Sequence, residues 1–170
     1  MSYIYISLGS NINREYNLKQ GLTELAKEFG ALTLSSLYES EAVGFNGSDF
    51  YNMVIGIETL NSIEEVASIL RRIEYQFGRE VEAKKFSPRT LDLDLLLFDD
   101  LILTSPAQIP RDEITTNAFV LWPLAEIAEN LIHPINKLSY GQLWNNFNKA
   151  SQTITKIPFS WSHIMDNQNT

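Results

Sequence analysis

Apolar and polar positions alternate along this chain with two different periods, and the changes of period mark its elements. From Tyr3 to Leu8 aromatic and aliphatic residues alternate with small polar ones, then meet Gly9-Ser10-Asn11, the pattern of a strand entering a turn. Within 13–29, Leu18, Leu22, Leu25, Ala26 and Phe29 fall close to helical spacing, and Gly30 stops them. Leu32 to Ser40 alternates again and predicts a second strand; residues 41–49, with two glycines and an Asn-Gly pair, predict a loop. Phe50 to Leu60, rich in β-branched and aromatic residues, predicts a third strand. Asn61 or Ser62 is placed to cap a helix with Glu64 and Glu65 in its first turn, where the helix dipole favours them. Its inner face is Ile63, Val66, Ile69, Leu70 and Ile73, and it ends near Gly78. After a charged, irregular segment closed by Pro88, Leu91 to Phe98 forms a fourth strand, which Asp99-Asp100 turns into a short partner at Leu101 to Leu103.

The order βαββαβ predicts an α+β fold of the ferredoxin-like type, an antiparallel sheet with helices packed on one face. C-terminal helices follow: Thr115 to Asn130, interrupted by Pro123, and an amphipathic Tyr140 to Lys149. Residues 1–150 read as a single domain and 151–170 as a polar, loosely docked tail.

Composition narrows the chemistry. With no cysteine among 170 residues, disulfides, zinc-thiolate sites and cysteine nucleophiles are excluded. The N-terminus lacks the basic and apolar regions of a signal peptide, and no run is long enough for a membrane span, so a cytoplasmic protein without a membrane partner is expected. A net charge of −8 argues against nucleic acid as a partner. Yet six of the thirteen basic residues, Arg71, Arg72, Arg79, Lys84, Lys85 and Arg89, fall within 71–89. Such a segment suits a small polyanion or, equally, a solvated basic loop.

The most informative stretch is Leu91-Asp92-Leu93-Asp94-Leu95-Leu96-Leu97. In a strand, Asp92 and Asp94 share one face with Cα atoms roughly 7 Å apart, while Leu91, Leu93, Leu95 and Leu97 fill the other, the expected core. Two carboxylates that close repel unless a cation lies between them. A hard divalent ion such as Mg²⁺ accepts such oxygens and keeps positions for waters and substrate phosphates. A solvated outer face is the alternative, although aspartate is a poor strand former. Arg89, at the start of the strand, is placed to contact phosphates. Neither GxxxxGK[ST] nor a GxGxxG following a strand occurs.

The run Pro88-Arg89-Thr90-Leu91-Asp92-Leu93-Asp94-Leu95-Leu96-Leu97-Phe98 resembles the signature of the 6-hydroxymethyl-7,8-dihydropterin pyrophosphokinase family of the folate pathway. Gly9-Ser10-Asn11, SLYESEAVG at 36–44, DFYN at 49–52, RRIEYQFGR at 71–79 and AFVLWPLAEIA at 118–128 match in order, so the resemblance covers residues 1–135. It implies transfer of pyrophosphate from ATP to the pterin hydroxymethyl group, with release of AMP. It also implies Asp92 and Asp94 as ligands of two Mg²⁺ ions, and Arg79, Arg89 and Asp94 as the catalytic set. By the same resemblance Arg71, Glu74, Lys85, Arg89, Leu95 and Arg111 surround ATP, with Leu95 as an apolar contact. Ser40, Val43, Gly44, Phe50, Asn52, Phe86 and Phe119 surround the pterin. The implied partners are ATP, hydroxymethyldihydropterin and other folate-pathway enzymes.

The chain departs from the family pattern at five positions. Arg111 stands where many members have histidine, Asn117 and Val81 where arginine is common, Phe86 where tryptophan often lies, and Ser87 where glycine is usual. The lost positive charge motivates an alternative, a weakly active or non-catalytic pterin- or nucleotide-binding paralogue. Another metal-dependent transferase with an Asp-x-Asp site is a third option. On the residues alone, Phe50 and Phe119 would pass for core aromatics, whereas Asn52, an amide between apolar neighbours, needs a partner. His133 and His163 read as structural or exposed, and Trp122, Trp144 and Trp161 as packing residues.

Overall fold

The computed structural model describes residues 1–41, 49–78 and 90–162. Strand β1 (Ser2–Ser10) leads into helix α1 (Arg14–Phe29), and β2 (Thr33–Leu34), β3 (Leu37–Ser40) and β4 (Phe50–Thr59) follow. Helix α2 (Ile63–Gln76) and strand β5 (Asp92–Phe98) complete the first half. The second half holds α3 (Glu113–Thr116), α4 (Ala118–Ile127), α5 (Tyr140–Asn146) and β6 (Ile154–Ile157). The sheet is antiparallel, in the order β5-β1-β4-β3-β6, with β2 also paired to β4. Setting β6 aside, this is the ferredoxin-like order.

Local chemistry explains the first two helices. Gly30 ends α1 at a φ of 84°, a left-handed value that suits glycine, and its N–H reaches the Ala26 carbonyl. Ser62, rather than Asn61, caps α2: its hydroxyl accepts the Glu65 N–H while the Glu65 carboxylate accepts the Ser62 N–H. Both helices lie over Ile4, Ile6 and Leu8 of β1, Met53, Ile55 and Ile57 of β4, and Leu93 and Leu95 of β5. Gly21 lets α1 approach closely, since a Cβ there would stand 3.0 Å from Leu91 Cδ2.

Helices cover both faces of the sheet, not one. On the second face Val54, Leu96 and Leu97 pack with Ile114, Val120, Leu121, Leu124 and Tyr140 of the C-terminal helices. This also corrects the expected leucine face. Ile6 pairs with Leu95 but Tyr5 pairs with Leu97, so Leu96 is an extra residue, a β-bulge. Beyond it the alternation shifts by one, sending Leu97 to the second core and Phe98 back to the first.

Other boundaries differ for local reasons. The strand expected over Leu32–Ser40 is broken at Ser35-Ser36, where the Ser35 hydroxyl accepts the Val54 N–H, and the Ser36 N–H and hydroxyl both donate to Glu126. Leu101–Leu103 does not form a strand partner; Leu103 makes a single bridge to Ile109. Pro123 does not interrupt its helix but lies within α4, which loses one backbone bond there. The break comes instead at Asn117, which is extended. The last helix stops at Asn146, short of Lys149. The tail expected from residue 151 contains β6, an edge strand of the sheet, paired to β3 from Leu37↔Ile157 to Ser40↔Ile154.

The three tryptophans pack, as their positions suggested. Trp122 lies between Tyr38 and Trp144, with ring centroids 4.7 Å and 5.2 Å away, and Trp161 donates to Thr23. Burial raises the Tyr38 hydroxyl, as do the neighbouring Glu126 charge and the hydrogen bond to it. Burial pushes the Glu126 carboxyl up, but bonds from Ser36 and Tyr38 and the nearby Lys156 hold it below the usual carboxylate range.

His133 is structural: it is buried, and its Nδ1 accepts the N–H groups of Ile135 and Asn136. Burial lowers its pKa. The unfolded chain therefore takes up this proton first, and stability falls as pH drops below about 6.5. Urea titrations between pH 7.5 and 5 should show that fall, flattened in His133→Asn, which keeps an acceptor but does not titrate. Tyr140 is fully buried, and its hydroxyl is the one buried side-chain group among the described residues without a hydrogen-bond partner. Tyr140→Phe should raise unfolding stability by about 1 kcal/mol, measured by the same titration.

Candidate active site

On the second face of the sheet, the side chains at the Gly9 end open into a polar surface. Register aligns Asp92 with Gly9 and Gly9 with Asn52, a row across three neighbouring strands, and Asn52 in turn with Tyr38. The next row sets Asp94 beside Ser7 and Val54. Both aspartates are partly exposed, with 34% of the Asp94 side chain accessible. Gly9 leaves the middle of the first row bare; a Cβ there would lie 3.2 Å from Asn52 Oδ1 and 3.8 Å from Phe50 Cδ1. Ser10 is buried and donates to the Thr90 carbonyl, tying the end of β1 to the start of β5.

Asn52 has the partner its buried position requires: its amide donates to the Ser40 hydroxyl at 2.8 Å. Ser40, Glu41, Asn117, Phe119 and residues 151–154 enclose a cleft of about 320 Å³. Phe50 and Phe119 are partly exposed on this face, so neither is a fully buried core aromatic.

At the other end of the row, Arg111 follows the buried Pro110, and its N–H bonds the Leu96 carbonyl at the bulge. Its guanidinium lies 3.2 Å from Asp94 Oδ1 and 3.3 Å from Glu113 Oε2. On the outer edge of β5, the buried Glu74 carboxylate accepts the Leu93 N–H at 2.8 Å.

A family model described as 7,8-dihydro-6-hydroxymethylpterin-pyrophosphokinase (HPPK) matches residues 5–129. The chain belongs to this family. The 2-amino-4-hydroxy-6-hydroxymethyldihydropteridine pyrophosphokinase of Aquifex aeolicus is 34% identical over 138 residues, 79% of this chain and 86% of that protein. The protein of the same name from Bacillus subtilis is 38% identical over 133 residues, 75% of this chain and 78% of its own length. The solved HPPK-DHPS of Plasmodium falciparum with pteroate has a TM-score of 0.68 at 14% identity, over 85% of this chain and 42% of that one. That likeness concerns the fold, and this chain spans less than half of the HPPK-DHPS chain.

Of the HPPK residues anticipated from sequence, the structure brings Ser40, Phe50, Asn52, Asp92, Asp94, Arg111 and Phe119 to one face of the sheet or its rim. Arg71 stands on the exposed side of α2, one turn before Glu74. Leu95, expected as an apolar contact of ATP, has its side chain 4% exposed in the first core, on the edge strand β5. Val43, Gly44, Arg79, Lys85, Phe86 and Arg89, together with Val81, Ser87 and His163, lie outside the described residues.

Sequence reasoning missed Arg14 and Gln152. Arg14 pairs with Glu39 at 2.7 Å, donates to the Asp49 carbonyl at 2.9 Å and stacks on Tyr51 at 3.9 Å. It thus holds the strand ends that carry Ser40 and Phe50. Its place just after Gly9-Ser10-Asn11, followed by the acidic Glu39 in the next strand pair, was the available signal. Gln152 has no local signal, because its partners are more than 30 residues away.

Removing the Glu74 acceptor leaves the Leu93 N–H buried without a partner. Glu74→Ala should lower unfolding stability by about 1–3 kcal/mol, and Glu74→Gln, which keeps an acceptor, by less; chemical denaturation distinguishes the two.

Proposed function

We propose that this chain carries out its family's reaction across the row Asp92–Gly9–Asn52. In that reaction the pterin hydroxymethyl oxygen attacks the β-phosphorus of ATP, the bond from that phosphorus to the α,β-bridging oxygen breaks, and AMP departs with that oxygen. The observation that carries the assignment is the row itself. Paired carboxylates and a hydrogen-bonding amide lie on one face, two strands and roughly 10 Å apart, with a glycine at the strand position between them. That separation suits a triphosphate at one end and a flat heterocycle at the other.

The pterin end has the groups that such a ring requires. Asn52, fixed by Ser40, reads the amide edge, while Phe50 and Phe119 offer ring faces. At the phosphate end, Asp92 and Asp94 supply hard oxygen donors on one exposed strand face, the donor chemistry of Mg²⁺. Among the described residues no group of three or more acidic, histidine or cysteine side chains could hold a metal alone. Two Mg²⁺ ions held there would neutralise charge on the triphosphate as it is transferred. Arg111 keeps a positive charge beside Asp94, the position from which a guanidinium can meet a phosphate oxygen. Glu74 and the outer edge of β5 border the nucleoside, and Arg79, Arg89 and Lys85 add positive charge from the segment before β5. The remaining catalysis is positioning and electrostatics.

The partners in this reading are ATP and hydroxymethyldihydropterin in the cytoplasm. Among the described residues no helix is long and apolar enough to cross a membrane. The folic acid synthesis protein of Pneumocystis carinii, 35% identical over 140 residues, supports reading other folate-pathway enzymes as partners.

Incubation with ATP, Mg²⁺ and hydroxymethyldihydropterin should release AMP, and chelation should stop it. Asp92→Ala and Asp94→Ala should each lower turnover at least about 100-fold. Unchanged turnover in both variants would overturn the carboxylate assignment. Tight pterin binding without AMP release from the unmodified chain would identify a binding paralogue instead.

A further inference from the structure

We infer that Gln152, in a segment beyond the family-matched residues 5–129, is a positioning residue for the pterin. It fixes the start of α4, and hence Phe119, against the cleft.

The junction between α3 and α4 has a deficit that its own residues do not meet. Asn117 stands at the N-cap of α4 but makes no side-chain capping bond, so the first N–H groups of the helix need another partner. Gln152 supplies it. Its Oε1 accepts the Ala118 N–H at 2.8 Å, and its Nε2 donates to the Thr116 carbonyl at 2.8 Å, at the end of α3. One side-chain amide thus bridges the break between two helices, and Phe119 is the next residue.

The same stretch of chain holds the facing wall. Two residues after Gln152, Ile154 pairs with Ser40 in the β3–β6 ladder, and Ser40 is the residue that receives the Asn52 amide. Residues 152–154 therefore hold both sides of the cleft, the start of α4 at Ala118, next to Phe119, through a side chain and Ser40 through the backbone. A 3₁₀ turn at Lys149–Ser151 delivers them, anchored by Lys149 on the Trp144 carbonyl and by the Ser151 hydroxyl on the Asn148 carbonyl. Gln152, Thr153 and Ile154 themselves line the cleft. The separation of its walls is consequently set from outside the family-matched span. Nothing in this arrangement reaches the Asp92 and Asp94 end, so the effect should fall on one substrate only. The inference rests on the reading that this cleft takes the pterin.

Calorimetry of the full chain with hydroxymethyldihydropterin, and separately with a non-hydrolysable ATP analogue and Mg²⁺, tests it. Gln152→Met, close in size but unable to make either bond, should weaken pterin binding about tenfold and leave the ATP analogue within about twofold. Gln152→Glu keeps the acceptor for the Ala118 N–H but loses the donor to Thr116, and should fall between the two. Equal pterin affinity in Gln152→Met and the unmodified chain would overturn the proposal. So would parallel loss of both ligands, including through failure to fold, because that marks a purely structural role. Phe119→Ala separates the underlying reading. If it weakens pterin binding and Gln152→Met does not, only the Gln152 inference falls; if Phe119→Ala has no effect, the cleft assignment falls with it.

Discussion

Down one face of β1, the side chains shrink from Tyr5 through Ser7 to Gly9, while the opposite face carries Ile4, Ile6 and Leu8 without interruption. The neighbouring strands follow the same gradient. β4 runs from Val54 to Asn52, and β5 from Leu97 and Leu96 to Asp94 and Asp92. One sheet face is therefore a hydrophobic interior at one end and a polar floor at the other. Burying the large residues under the C-terminal helices stabilises the layer, and the absence of a side chain at Gly9 lets those of Asn52 and Phe50 come close to the floor. Lengthening either half at the other's expense would cost either the second core or the polar floor.

The bulge at Leu96 reconciles these demands in β5. Without it, strict alternation would send Leu97 to the first core and Phe98 to the second face. With it, two consecutive leucines fill the second core directly above Asp94, and Arg111 is drawn in by its N–H bond to the Leu96 carbonyl. The local irregularity thus brings a guanidinium beside the carboxylates. Bulges near functional positions are expected where a strand must re-aim its side chains.

These features were unevenly legible from sequence. The two strand–helix units and the shared face of Asp92 and Asp94 follow from spacing, because periods of 2 and 3.6 leave distinct marks. The bulge leaves none, since Leu95-Leu96-Leu97 reads the same in either phase. Pro123 looked like a break because proline removes a donor, but α4 tolerates the loss, and the real break at Asn117 depends on Gln152, distant in sequence. Strand β6 is short and mixes Ile154 and Ile157 with polar residues, so its pairing depends on the open edge of β3. In the first core the period marked the residues of α1, α2 and β5, whereas those of β1 and β4 lie in strands whose inward face depends on their pairing.

The topology also orders events in time. β1 is the first element of the chain, yet it lies inside the sheet, and its partners are β4, some fifty residues on, and β5, some ninety. At about 5–20 residues per second, a ribosome emits β5 several seconds after β1. Contacts this distant in sequence also close slowly. The ladder between β1 and β5 that sets Asp92 opposite Gly9 can form only once Asp92–Phe98 has emerged. When β5 docks, the carboxylates arrive beside the glycine gap, so the floor of the site is completed before β6 adds the opposite edge of the sheet.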